Sequence, residues 1–396
     1  MWITRNISSV LQNAVKQFPV VVLTGARQSG KTSLVRNLFP DANYVTFDIP
    51  AEAELARLDF AAFLRRNPTP LIIDEVQYVP EVLRFIKFQV DQVRDPGQFI
   101  VTGSQDFAMM EGVSESLAGR TAILSLPALT LDEATANQDL DSIDRFCWRG
   151  SYPELVARSE LDRELWLGSY LATYLERDVR NILQIGNLRD FDRFLRAAAF
   201  RAGQLLSYSE LARDVGIAPN TARAWLSILE TSRQVFLLEP YHTHGARRVV
   251  KTPKLYFTDT GMLLYLLGFA QWDDVTRHAM WGAVWENLVV AEIRKYYLNA
   301  GRRPPLWFWR TQQREEVDLL IETGPKRFRA IECKTAARIE GKALKGFAAL
   351  EKDFGESALE RAAVVCRTPQ AYPLTPESRI AAVPLGGPGG ILDWLA

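Results

Sequence analysis

The stretch Gly25-Ala-Arg-Gln-Ser-Gly-Lys-Thr32 decides the fold of the N-terminal part of this 396-residue chain. It fits the pattern G-x-x-x-x-G-K-[ST], follows the apolar run Val20–Thr24, and opens a segment with helical spacing at 31–39. A strand that enters a glycine-rich turn and then a helix directs backbone N–H groups and the positive end of the helix dipole at one place. The pattern predicts a phosphate-binding loop. A glycine-containing turn without a ligand is the alternative, and it does not account for both flanks.

The loop residues have distinct predicted roles in binding ATP. Lys31 is expected to reach the β- and γ-phosphates, and the Thr32 hydroxyl is expected to hold Mg²⁺. The residues expected to contact the nucleotide are Gly25, Ala26, Arg27, Gln28, Ser29, Gly30, Lys31, Thr32 and Ser33.

A second apolar strand, Leu71–Asp74, ends in two adjacent acids. Asp74 is expected to orient the Mg²⁺ shell, and Glu75 to polarise the attacking water as a general base. The alternative is that both acids cap the next helix. The strand at 99–102 then ends in Gly-Ser104-Gln105, and Ser104 is the favoured sensor of the γ-phosphate, with Thr102 and Gln105 as rivals.

Strands and helices alternate through the first third of the chain, which predicts a parallel, doubly wound α/β sheet. The expected strands are at 20–24, 44–48, 71–74, 99–102 and 123–126, and helical spacing covers 52–66 and 81–93. We predict an ATPase domain at 1–129, a helical lid or linker at 130–205, a winged helix-turn-helix at 206–258 and a mixed α/β nuclease-like domain at 259–396.

Several motifs together resemble a group of bacterial and archaeal AAA-type P-loop ATPases whose C-terminal half is a domain of unknown function. The resemblance covers nearly the whole chain and implies an AAA-like nucleotide domain followed by a winged-helix region. The segments that carry it are 25–34, 71–77, 101–105, Gly119-Arg120, Gly150-Ser-Tyr-Pro-Glu154 and Tyr174-Leu-Glu-Arg-Asp178.

Arg120 stands where AAA-type ATPases place an arginine finger. Supplied in trans, it would link ATP hydrolysis to a homo-oligomer such as a hexameric ring. The alternative is an ordinary surface arginine.

A helix-turn-helix signature lies at 207–230, with Gly216 at the turn. Asn220, Thr221 and Arg223 begin its second helix, where a DNA reader meets bases or phosphates. A basic segment follows and predicts a wing that contacts DNA phosphates. Winged helices also serve as protein-packing modules, and that alternative stays open. The cations of the wing are Arg247, Arg248, Lys251 and Lys254.

Near the C-terminus, Asp318 lies in one predicted strand, and Glu332 and Lys334 share a face of the next. Glu286, on a predicted helix, can add a carboxylate. The set resembles the PD-(D/E)XK restriction-endonuclease-like core, although Val317 stands where that name has proline. The resemblance implies Mg²⁺ at Asp318 and Glu332, with Lys334 acting on water. A salt-bridged acid–lysine pair, or a nuclease fold that binds DNA without cleaving it, are the alternatives.

Composition limits the remaining choices. Lys and Arg number 47 and Asp and Glu number 47, so any basic surface is local. The cysteines, Cys147, Cys333 and Cys366, lack pairing or metal spacing, which favours a reducing cytoplasm, and no segment is predicted to cross a membrane.

The leading prediction is an ATPase that acts on DNA. The alternative is a nucleotide-switched regulatory or defence ATPase whose C-terminal half binds protein.

Overall fold

The computed structural model describes most of the chain. The described residues are 2–103, 117–135, 139–174, 188–241, 250–376 and 379–396.

The N-terminal domain is built on a five-stranded sheet in which all paired strands are parallel and the order is β2-β3-β4-β1-β5. Its three central strands are buried on both faces: in the valine-rich strand at 20–24, Val20 and Val22 join one apolar cluster, and Val21 and Leu23 join another. The predicted parallel α/β sheet is confirmed. The strands are β1 (Val20–Thr24), β2 (Asn43–Thr46), β3 (Leu71–Asp74), β4 (Phe99–Gly103) and β5 (Thr121–Ser125).

The helices of this domain differ from the sequence prediction at one place. Helical spacing runs through 52–66, but the structure breaks the segment at Asp59, whose carboxylate accepts a hydrogen bond from the Ala62 N–H and starts a new helix. The helices are α1 (Ser8–Val15), α2 (Lys31–Leu38), α3 (Pro50–Leu58), α4 (Phe60–Arg66) and α5 (Val82–Gln92).

A helical segment and a winged helix follow. Ser207 caps the first helix of the helix-turn-helix, and Gly216 ends it with φ of 83°, a conformation that favours glycine. Pro219 then starts the second helix, so Asn220, Thr221 and Arg223 lie in its first turns, as the sequence predicts. The helices are α6 (Leu131–Ala134), α7 (Leu140–Arg149), α8 (Pro153–Ala157), α9 (Arg163–Tyr174), α10 (Leu188–Ala199), α11 (Tyr208–Val215) and α12 (Pro219–Thr231), and the antiparallel strands are β6 (Val235–Leu238) and β7 (Lys254–Phe257).

The C-terminal part holds a mixed six-stranded sheet in the order β12-β13-β11-β10-β9-β8. The strands are β8 (Leu306–Arg310), β9 (Glu316–Gly324), β10 (Arg327–Cys333), β11 (Leu359–Val365), β12 (Tyr372–Pro373) and β13 (Ile380–Val383). The helices are α13 (Thr260–Leu266), α14 (Trp272–Arg277), α15 (Trp281–Asn299), α16 (Lys345–Phe354) and α17 (Ile391–Leu395).

One apolar core joins the helical segment, the winged helix and one face of the C-terminal sheet. Phe194, Leu226, Trp285, Ile331 and Val365 all belong to it. The other face of the sheet packs in a separate cluster that includes residues of α16. The C-terminal part of the chain is therefore tied to the winged helix through a shared core.

No helix in the described ranges is long and apolar enough to cross a bilayer.

Candidate functional site

The phosphate-binding loop lies between β1 and α2, as predicted. Gly25 approaches the Leu126 carbonyl so closely that a Cβ would stand 2.5 Å from its oxygen. Gly30 has φ of 91° and directly precedes Lys31, the first residue of α2. Each glycine is needed for a specific reason, a close approach in one case and a left-handed backbone in the other.

Lys31 is almost wholly buried inside the loop. Its ammonium donates to the carbonyl oxygens of Gly25 at 3.0 Å and Ala26 at 2.9 Å. Burial lowers the pKa of Lys31 to about 8, although the negative charges of Glu75 and Asp74 oppose that shift. The cation is held by weak partners in a dry site, which suits it to an anionic ligand.

Asp74 joins four elements of the site. It accepts hydrogen bonds from the hydroxyls of Thr32 at 2.7 Å and Tyr44 at 2.9 Å, and from the hydroxyl of Thr102. Burial and then the charge of Asp74 raise the pKa of Tyr44, which keeps that phenol a donor. Tyr44 was missed in the sequence because a tyrosine in a strand carries no motif.

Glu75 directly follows β3 with φ of 58°, a left-handed conformation that is uncommon outside glycine. The Gln77 amide donates a hydrogen bond to its carboxylate. The two carboxylates at the strand end therefore have different partners: Asp74 accepts a hydrogen bond from Thr32, and Glu75 accepts one from Gln77. Ser104 and Gln105 lie outside the described residues.

Two arginines that the sequence analysis missed contact the strands and loop of this site. Arg5 donates to the Ser29 carbonyl of the loop at 2.8 Å and to the Pro127 carbonyl at 2.6 Å. Arg233, in the turn after α12, donates to the Thr24 hydroxyl at 2.8 Å and to the Ser125 hydroxyl. Both depend on contacts between residues far apart in sequence, so no local pattern reveals them.

Arg120 lies at the amino end of β5, next to the start of β1. The loop at 25–32 follows the carboxyl end of β1, at the opposite edge of the sheet. The guanidinium of Arg120 pairs with Asp91 on α5 and also donates to the Ala118 carbonyl.

The predicted DNA-contacting residues have different environments. Asn220 and Arg223 are exposed on the first turns of α12, Thr221 is half-buried beside them, and Lys251 is exposed. The Arg223 guanidinium lies over the Tyr208 ring, 5.1 Å from its centroid. Arg247 and Arg248 lie outside the described residues.

The prediction that Lys254 contacts DNA phosphates is wrong. Lys254 is 2% exposed, at the start of β7. Its ammonium lies 2.9 Å from a Glu286 oxygen, 2.5 Å from a Glu316 oxygen and 3.9 Å from an Asp318 oxygen. Its positive charge is therefore paired with carboxylates inside the protein and does not face DNA.

The other predicted residues of the C-terminal cluster do come together. Lys334 donates to Glu332 at 2.9 Å, and the Cys333 N–H donates to Asp318 at 2.8 Å. Burial and then the charge of Asp318 raise the pKa of Glu332 to about 9. The same two causes, in the same order, raise the pKa of Glu286 to about 7.

The cluster departs from the predicted Mg²⁺ site. Among the residues that the structure describes, no group of three or more His, Cys, Asp or Glu side chains is arranged to hold a metal ion. Lys254 lies beside Glu286 and Asp318, two of the three acids predicted to hold Mg²⁺, whereas the third, Glu332, pairs with Lys334. The donor set at Thr32 and Asp74 differs, because a hydroxyl and a carboxylate oxygen 2.7 Å apart suit the Mg²⁺ that accompanies ATP.

Family models match three consecutive parts of the chain. An AAA domain matches residues 17–135, a domain of unknown function (DUF8612) matches 140–273, and a second domain of unknown function (DUF4143) matches 281–386.

Similar proteins come from bacteria and archaea. Uncharacterized proteins of Mycobacterium tuberculosis and Mycobacterium bovis are each 35% identical over 321 residues, which is 80% of this chain and 71% of theirs. Among solved structures, a Walker-type ATPase of Pyrococcus abyssi is 16% identical, with a TM-score of 0.43 over 66% of this chain and 94% of its own. AMPPCP-bound DnaA from Aquifex aeolicus is 15% identical, with a TM-score of 0.29 over 57% of this chain and 85% of its own.

Proposed function

Because the chain belongs to the family of AAA-domain ATPases that carry a DUF4143 domain, we propose that it hydrolyses ATP in order to act on DNA. The observation that carries the ATPase part is the 2.7 Å contact between Thr32 and Asp74, which joins the phosphate-binding loop to the acidic strand end.

Within this proposal, each residue of the site has a task. Thr32 and Asp74 hold the Mg²⁺ that accompanies ATP and neutralises its phosphates. Lys31 leaves the carbonyls of Gly25 and Ala26 and pairs with the β- and γ-phosphates, a stronger partner for a buried ammonium than neutral oxygens. The backbone N–H groups of the loop fix the phosphates in place.

Glu75 orients the attacking water in the proposed reaction. Its carboxylate is half-buried next to Asp74 and close enough to Lys31 for their charges to interact. A carboxylate beside the γ-phosphate site can accept a hydrogen bond from water. This bond orients the water so that a lone pair of its oxygen points at phosphorus.

Arg120 is proposed to act on the nucleotide of a neighbouring copy. β5 has five residues and runs parallel to β1, so Arg120, just before it, lies about 16 Å from the loop edge of its own sheet by the rise per strand residue. An arginine at that edge can meet ATP only across a subunit boundary, which requires a homo-oligomer. Its pairing with Asp91 would have to open on assembly.

A mixing experiment tests Arg120. We expect Arg120→Ala and Lys31→Ala to be inactive alone, and an assembled mixture to recover part of the turnover. An intact arginine then faces an intact pocket in some interfaces. Phosphate release measures the recovery, and mixtures that co-assemble without recovering activity would contradict action in trans.

The DNA part of the proposal is supported by the helix-turn-helix. Asn220 and Arg223 are exposed at the start of its second helix, and Lys251 is an exposed cation before β7. Helix ends and cations of this kind contact phosphates and base edges in DNA-binding proteins. Cleavage of DNA by the C-terminal domain is not part of the proposal, because Lys254 is buried among its carboxylates.

The test is ATP turnover and DNA affinity with duplex, single-stranded and branched DNA. We expect stimulation by at least one form. We expect Arg223→Ala/Lys251→Ala to weaken binding and lower the salt slope by about 2, as for two phosphate contacts. Arg65→Ala, an exposed arginine of the ATPase domain, is the matched control and should leave both unchanged.

Absence of binding and stimulation with every DNA form would overturn the DNA part while leaving the ATPase intact. The protein would then be a nucleotide-switched ATPase whose C-terminal half binds protein.

A further inference from the structure

The C-terminal cluster is organised around a lysine. Lys254 comes from β7 of the winged helix, Glu286 from α15, and Glu316 and Asp318 from β9 of the C-terminal sheet. The ammonium pairs with Glu286 and Glu316 and lies 3.9 Å from Asp318, while its side chain is 3% exposed. A single cation from one part of the fold therefore pairs with acids from two others.

The acids around Lys254 have further partners of their own. Tyr256 donates to Glu286 at 2.5 Å, Arg310 pairs with Glu316 at 3.0 Å, and the Cys333 N–H donates to Asp318 at 2.8 Å. These bonds fix the orientation of the three carboxylates around the ammonium, as the surrounding hydrogen-bond donors do for carboxylates that bind a metal.

Lys254 is also poorly placed to leave. It begins β7, which pairs with β6, and an additional bridge connects it to Leu205. Its ammonium lies 5.5 Å from the centroid of the Phe308 ring. Moving it away would leave three largely buried acids without their shared cation, which is costly.

We propose that the ammonium of Lys254 takes the place of the divalent cation that a nuclease of this outline requires. The C-terminal domain is then a metal-independent module that does not cleave phosphodiesters. Lys254 has a structural task there, because it ties the winged helix to the nuclease-like sheet. This inference does not rest on the proposed ATPase or DNA-binding function.

Removing the positive charge of Lys254 should create a metal site. Lys254→Gln leaves Glu286, Glu316 and Asp318 facing a polar group without charge. With Lys254 in place, no three acidic side chains of the described residues are arranged to hold a metal ion, but without the ammonium these three acids can close around a hard divalent cation. We therefore expect this variant to bind one more equivalent of Mn²⁺ than the wild type.

The full-length protein without nucleotide is titrated with Mn²⁺, and the free ion is measured by its electron paramagnetic resonance signal. The matched control is Lys251→Gln, an exposed lysine three positions away, which should bind as the wild type does. Adding Asp318→Asn to Lys254→Gln should abolish the extra equivalent. Subtracting the wild-type titration removes weak binding at the ATPase site.

Three results would overturn the proposal. The first is a wild-type Mn²⁺ equivalent that Asp318→Asn removes, since the metal would then coexist with Lys254 or displace it. The second is a folded Lys254→Gln protein that gains no Mn²⁺. The third is cleavage of plasmid DNA by the wild type with Mn²⁺ that Asp318→Asn abolishes.

If Lys254→Gln does not fold alone, refolding with and without Mn²⁺ replaces the titration, followed by circular dichroism. Recovery that needs Mn²⁺ would support the proposal. If Mn²⁺ gives no recovery, Lys254→Met/Glu286→Gln, which removes a positive and a negative charge together, becomes the deciding variant. Folding of this double variant supports charge compensation by Lys254, and its failure to fold counts against it.

Discussion

Two buried lysines, Lys31 in the nucleotide domain and Lys254 in β7, differ in what surrounds their ammonium groups. Lys31 donates to two backbone carbonyls, whereas Lys254 lies among three carboxylates. Burial lowers the pKa of Lys31 to about 8. Burial alone would also lower the pKa of Lys254, but Glu286, Asp318 and Glu316 outweigh it and hold that pKa above its ordinary value.

The difference separates a binding cation from a structural one. A buried ammonium with only dipoles as partners gains free energy when an anion arrives, so Lys31 is suited to phosphate. A buried ammonium that is already neutralised gains little from another anion, and removing it exposes unpaired acids. The two lysines should therefore respond to the same substitution in opposite ways.

The largest expected effect is on stability. Lys254→Met should lower the free energy of unfolding by about 3–5 kcal/mol, the usual cost of breaking a buried ion pair from one side. Basal ATP turnover should persist under conditions where the variant is folded. Urea unfolding measures the change, with Lys251→Met expected to stay within about 0.5 kcal/mol of wild type. Equal losses of stability for Lys254→Met and Lys251→Met would contradict the structural role of Lys254.

Lys31→Met should show the reverse pattern. We expect ATP turnover to fall by about 100-fold or more, as when a preorganised charge on the reacting group is removed. Its free energy of unfolding should match or exceed that of wild type, because a poorly solvated charge is lost. Phosphate release and urea unfolding test this, with the exposed Lys16→Met as the control. A large loss of stability would make Lys31 structural too.

Arg233 links the winged helix to the nucleotide domain, because its guanidinium donates to the hydroxyls of Thr24 and Ser125. Arg233→Ala should cost about 1–3 kcal/mol of stability, the range for hydrogen bonds to a charged group. It should also reduce any stimulation of ATP turnover by DNA, since it joins the winged helix to the strands beside the loop. Exposed Arg213→Ala is the control, and unchanged stability and stimulation in Arg233→Ala would contradict this role.

The last effect is the pH dependence of the difference in stability between wild type and Lys31→Met. The folded pKa lies near 8 and the unfolded value near 10.5, so between them the unfolded chain binds more protons. Wild-type stability should therefore rise relative to Lys31→Met as the pH increases from 8 towards 10.5. Unfolding curves of both proteins at pH 7, 8.5 and 10 test the sign, and a gap that does not change would contradict it.

Much of the nucleotide site could be predicted because its parts are local. The loop Gly25–Thr32 and the strand Leu71–Asp74 each carry their chemistry within a few residues, and parallel strands bring their carboxyl ends to one edge. Tyr44, Arg5 and Arg233 could not be predicted in this way. Each reaches the site from another element, and nothing in its own neighbourhood distinguishes it from an ordinary side chain.

In the C-terminal half, the sequence by itself determined the helix-turn-helix and the alternation that sets Glu332, in β10, and Lys334, just after it, on the same side of the chain. These follow from periodicity, turn residues and the pleat of a strand. The role of Lys254 was decided by tertiary structure alone. In the sequence it closes a run of basic residues, and Glu286, the nearer of the two acids that pair with it, lies 32 residues further along the chain. Packing of β7 against α15 and β9 buries Lys254 among carboxylates. A buried ammonium is more stable when it is paired with these carboxylates than when it is left unpaired to contact an external phosphate.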